Sequence, residues 1–116
     1  VSEARITIHD HPSETTQAEH LSLMADLFGV LSDPSRLRIL MCLQRRSEVC
    51  VNDLSADTHV SDSAVSHALR LLRAHGIVRT RREGRQIFYA LVDEHVRLLL
   101  DATAEHFARA HGRGAA

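Results

Sequence analysis

The residues best able to do chemistry in this chain are its histidines and the carboxylates near them. Nine of the 116 residues are His, and the most informative positions are Asp93, His95 and His106. Imidazole nitrogens with one carboxylate and no thiolate suit Ni(II), Co(II) or Zn(II). Eleven residues separate His95 from His106, almost three helical turns, so a helix places both on one face but roughly 16 Å apart. One ion cannot touch both within one chain. If two copies of the helix pair antiparallel about a two-fold axis, Asp93 and His95 of one copy meet His106 of the other, and two equivalent sites form. Leu99 and Ala102 lie between them as an apolar seam. Arg109, three residues beyond His106, cannot ligate, so further donors would have to come from His111 or from His9 and His11.

A second chemistry is carried by arginine. All 14 basic residues are Arg, and the net charge of −1 hides their distribution. Residues 1–60 hold five Arg against nine acids, residues 61–92 six against two, and residues 93–116 three against four. A +4 segment inside an otherwise acidic chain points to a polyanion partner.

These residues need elements to position them. Residues 1–14 lack sustained periodicity and read as a flexible arm, residues 15–111 as one domain, and residues 112–116 as a disordered tail. Apolar residues at Leu21, Met24, Leu27, Phe28 and Leu31 recur at helical spacing. Asp33-Pro34 pairs a favoured N-cap with a favoured first helical residue and opens a second helix ending near Arg45. A short third helix spans Cys50 to Thr58. Ser61 caps a fourth that runs to about His75, where Gly76 suits a left-handed terminus. Val65, Ala68, Leu69 and Leu72 share one stripe of that helix, while Asp62, Ser63, Ser66, Arg70 and Arg73 share the other. Two strand-like runs, residues 77–82 and 86–92, are joined by a tight turn at Glu83-Gly84-Arg85. A last amphipathic helix starts around Asp93. The fold is therefore mainly α with a small β-hairpin.

A short helix, a break at His59-Val60-Ser61 and a second helix with a polar outer face form a helix-turn-helix, and the hairpin makes it a winged one. The second helix of such a unit enters the major groove. Ser61, Ser63, Ser66 and His67 could bond bases or phosphates, Arg70 a guanine edge or a phosphate, and Arg73 extends the basic end of the helix. Arg79, Arg81, Arg82 and Arg85 on the hairpin would grip phosphates beside the groove.

Three stretches closely resemble the ArsR/SmtB family of metal-responsive repressors: residues 31–40 (LSDPSRLRIL), 48–54 (EVCVNDL) and 63–72 (SAVSHALRLL), with the wing GRQIFY at 84–89. The likeness covers about residues 20–110. It implies a homodimeric winged-helix repressor that binds operator DNA without metal and releases it when metal binds. The resemblance also implies a site on the last helix made by Asp-x-His, a His and a His or Glu three residues on, which Arg109 leaves incomplete. The His-bearing N-terminus and tail resemble the nickel and cobalt sensing branch, so Ni(II) is expected first, then Zn(II) or Co(II). In the family, Cys50 with Asp53 would join N-terminal ligands such as His9 and His11 in a separate site, although Asn52 stands where the thiolate-rich version has a second Cys.

Cys42 falls on the apolar side of the second helix and reads as core, and two Cys in a cytoplasmic chain give no reason for a disulfide. No nucleophile, base and orienter occur together and no Gly-rich phosphate cradle exists, which argues against an enzyme. Rival readings are a winged-helix regulator sensing oxidation at Cys50 and a metal-buffering protein that does not bind DNA. Nothing in the first residues looks like a secretory signal and no apolar run approaches a membrane span, so a cytoplasmic protein without a membrane partner is expected.

Overall fold

A computed structural model describes residues 14–115, and the chain divides into two compact units, residues 1–31 and 32–116. The first unit contributes helix α1, Glu14–Leu31. Its periodic apolar residues do not all find cover: Leu21, Met24 and Phe28 are 64%, 52% and 54% exposed, as is Leu23 beside them at 64%. The helix expected from the spacing is present, and most of its apolar stripe is exposed.

The second unit runs α2 (Pro34–Arg45), β1 (Val49–Cys50), α3 (Val51–Thr58), α4 (Asp62–Ala74), β2 (Val78–Glu83), β3 (Gln86–Leu91) and α5 (Glu94–Ala115). Helix α2 begins as its cap predicts, with the Asp33 carboxylate accepting the Arg36 N–H at 3.0 Å and Pro34 in the first turn. Ile39, Leu40 and Leu43 of α2 meet Leu54 of α3 and Val65, Leu69 and Leu72 of α4 in a fully buried core, closed by Val49, Ile77 and Val96. Because α4 has its buried residues at Val65, Ala68, Leu69 and Leu72, the opposite stripe is left to water.

Three features depart from the sequence expectations. The sheet has three strands in the order β1-β3-β2, all antiparallel, because Val49 and Cys50 pair with Tyr89 and Phe88. Two residues are too short for alternation to register. The hairpin loop is only Gly84-Arg85, since Glu83 pairs with Gln86. Gly84 has φ +65° and Arg85 does not share the positive φ, the sign pattern of a type II′ turn whose twist matches the strands. Helix α5 passes through Gly112 and Gly114 to Ala115, so the expected tail from residue 112 is mostly helical. Glycine lowers helix stability by about 1 kcal/mol but does not by itself end a helix.

Candidate nucleic-acid interface and metal-ligating helix

The turn between α3 and α4 is built from short polar side chains. Thr58 Oγ1 donates to the Leu54 carbonyl at 2.6 Å and lies 3.4 Å from the Val60 N–H, while Ser55 Oγ donates to the Val60 carbonyl at 2.5 Å. His59 sits in the left-handed region, φ 60° and ψ 29°, which lets the chain reverse after one residue. Ser61 then caps α4, its hydroxyl accepting the Ala64 N–H at 3.2 Å. At the far end Ile77 N–H reaches the Leu72 carbonyl and Gly76 N–H the Arg73 carbonyl, with Gly76 at φ +71°. That pair of bonds is a Schellman motif. The helix is thus fixed at both ends.

On its outer stripe Ser63, His67, Arg70 and Arg73 are exposed, Ser66 is half-buried and Ser61 is exposed at the cap. Short hydroxyls near the N-terminus allow close approach to a base-lined surface, and the guanidiniums lie toward the C-terminal end.

The four wing arginines, read from sequence as one phosphate grip, divide. Strand period two puts Arg79, Arg81 and Glu83 on one face of β2, and Arg82 on the other with Thr80 and buried Val78. Arg81 is held by its own chain: Nε donates to both Glu48 oxygens at 3.1 and 3.0 Å, one terminal nitrogen reaches Glu48 at 2.7 Å and the other Glu83 at 2.6 Å. Its guanidinium carbon also lies 5.0 Å from the centre of the Phe88 ring, its cross-strand neighbour. Arg79 is 3.8 Å from Glu48. The hydrogen bonds from Arg81 hold the Glu48 carboxyl below its ordinary value, and those from Glu48 and Glu83 raise the Arg81 guanidinium above its own. Among the described residues Arg82 and Arg85 have no ion pair. Sequence reasoning missed Glu48 because it is 33 residues from Arg81.

On α5, Asp93 is the N-cap: its Oδ1 accepts the Val96 N–H at 3.0 Å. His95 and His106 are exposed, and His106 stands edge-on to Phe107 at 4.9 Å. His111 points Nδ1 at the Phe107 carbonyl, 2.8 Å away, which leaves Nε2 outward. Among the described residues no three His, Cys, Asp or Glu of one chain gather around a common point, as the spacing of His95 and His106 requires. Gln44 ties α5 to α2 by donating to Asp101, a contact with no local sequence signal.

Cys50 is half-buried at the start of α3, in a cleft lined also by Arg85 and Tyr89. Asp53 is exposed and 3.8 Å from Arg46. Among the described residues no group of three possible metal ligands includes Cys50. His9 and His11 lie outside the described residues. Cys42 is core as expected: fully buried, with Sγ 3.7 Å from Asp57, and burial followed by the Asp57 charge pushes its thiol up.

Residues 33–80 match the model of the family described as bacterial regulatory protein, arsR family. Over 85% of its length the chain is 45% identical to a transcriptional repressor SmtB homolog from Synechocystis, covering 78% of that protein. The chain belongs to the ArsR family. This family member is also 39% identical, over 72% of its length and 69% of the relative's, to a cadmium resistance transcriptional regulatory protein CadC homolog from Staphylococcus aureus. The solution structure of a homodimeric winged helix-turn-helix DNA-binding domain from Mycobacterium bovis superposes with a TM-score of 0.71 at 28% identity, covering 87% of this chain and 92% of that one. As an ArsR-family protein with this winged helix-turn-helix, the chain is a DNA-binding transcriptional repressor and not an enzyme. No helix among the described residues is long and apolar enough to cross a membrane.

Proposed function

We propose that the protein is a homodimeric, metal-responsive repressor in which α4 and the wing bind operator DNA and α5 carries the effector ligands. The observation that carries this reading is the placement of Asp93, His95 and His106 along one helix, with both imidazoles exposed and His106 too far from the other two to share an ion within one chain. Exposed Leu98, Leu99 and Phe107 on α5, and the open face of α1, support pairing with a second copy. The homodimeric Mycobacterium bovis domain and the cadmium-resistance relative support the pairing and the metal effector.

Asp93 and His95 of one copy and His106 of the other would hold the ion, with Ni(II) first and then Zn(II) or Co(II) as candidates. The donor set fits: both imidazoles are exposed and Asp93 uses one oxygen for its cap. When bound, the ion supplies a crosslink between the two α5 helices. The Gln44–Asp101 bond joins α5 to α2, and α2 packs on α4 through the core. A change in helix pairing thus reaches the recognition helices. His111, His9 and His11 are the remaining candidates to complete the donor set, and Cys50 with Asp53 the candidates for a separate site.

Fluorescence anisotropy on a duplex selected by the apo protein from a random pool tests this. Ni(II), Zn(II) or Co(II) weakens binding, and by linkage the duplex weakens metal binding by the same factor. His106→Ala abolishes the response and leaves apo affinity intact. Asp93→Asn keeps the cap, since Asn caps as well as Asp, and weakens the metal response. Unchanged affinity with all three metals overturns the reading.

A further inference from the structure

The sequence reads Arg79, Arg81, Arg82 and Arg85 of the hairpin as phosphate contacts, but the structure gives Arg81 a different partner. Glu48, just before β1, and Glu83, at the end of β2, together occupy all three nitrogens of the Arg81 guanidinium. The planar fork of Arg matches a carboxylate and a phosphate with the same bidentate geometry. Phe88 supports its carbon from the sheet, and Glu48 also draws Arg79 to 3.8 Å. Arg82 and Arg85 have no such partner among the described residues.

We propose that Glu48, with Glu83, is an internal substitute for DNA phosphate: it withholds Arg81 from DNA and anchors the wing to the loop before β1, so Arg82 and Arg85 carry the wing's phosphate contacts. Arg81 is a positioning residue. Glu48 limits how many charges the wing spends on sequence-independent binding, which leaves α4 a larger share of the discrimination between sites. The inference rests on the DNA-binding role of the wing.

Salt dependence separates the roles, because each phosphate neutralised contributes about 0.9 to the slope of log K against log salt. The probe is a labelled mixed-sequence DNA duplex of about 30 base pairs, titrated with the full chain between about 50 and 200 mM salt. Arg82→Gln and Arg85→Gln each flatten the slope by about 0.9 per bound subunit. Arg81→Gln leaves the slope at the parent value. In an Arg79→Gln background, where Glu48 holds only Arg81, the double variant Glu48→Gln with Glu83→Gln steepens the slope by about 0.9 per subunit, and adding Arg81→Gln to that pair removes the gain. A flattening by Arg81→Gln equal to that of Arg85→Gln overturns the proposal. So does a slope unmoved by the double variant, or a gain that survives loss of Arg81. A parent chain that binds no duplex at the lowest salt instead overturns the DNA-binding reading itself.

Discussion

Helix α4 buries Val65, Ala68, Leu69 and Leu72 inside its own chain and is capped at both ends, whereas α5 buries Val96 and Leu100 near its start and exposes every described side chain from Asp101 to His111. One helix finishes its packing within 116 residues. The other carries apolar side chains and imidazoles that one chain leaves exposed. The difference separates a helix whose apolar stripe is covered by its own chain from one whose apolar residues Leu98, Leu99 and Phe107 remain open, which is what the proposed pairing of α5 with a second copy would cover.

Core truncation breaks this comparison most severely. Leu69→Ala removes a side chain that is 1% exposed and lowers the unfolding free energy by about 2–5 kcal/mol, read by urea denaturation. Phe107→Ala, at a residue 58% exposed, shifts the concentration dependence of Tm and the sedimentation coefficient. If Phe107→Ala alters neither, α5 is not a pairing surface and the contrast between the helices collapses.

The caps sharpen the same contrast on a smaller scale. Ser61→Ala deletes the bond to the Ala64 N–H and costs about 1 kcal/mol, with the loss concentrated in hydrogen-exchange protection of the first turn of α4. His59→Gly has the smallest effect, because two opposing terms nearly cancel. The left-handed φ of 60° at His59 disfavours a side-chain-bearing residue, and glycine relieves about 1 kcal/mol of that while adding unfolded-state freedom of similar size. Stability therefore changes by less than about 1 kcal/mol, and a loss larger than that would show that the His59 side chain holds the turn.

The recognition unit was legible because its boundaries are written locally. Asp33-Pro34, Ser61 and Gly76 each act on residues within a few positions, and the structure uses all three as read. Strand β1 was not legible, since Val49 and Cys50 are strand only through β3, some forty residues later. The double face of β2 follows from period two, but the capture of Arg81 depends on Glu48, brought near by that same pairing. The candidate ligands on α5 were legible as types and spacings; in the proposed site His106 would come from a second copy, so their assembly lies outside what one chain displays. The apolar stripe of α1 was legible as a stripe, while its exposure could be learned only from the structure.

Burial of Cys42 has a practical consequence. The sequence has two cysteines; Cys42 is fully enclosed and its thiol is shifted away from the reactive thiolate by burial and Asp57, while Cys50 is part-exposed at the foot of the wing. Thiol reagents react with the thiolate form of cysteine. A maleimide dye therefore marks the wing of the native protein at Cys50, and the second equivalent enters only when α2 lifts from the core, so the rate of its uptake times the opening of the fold.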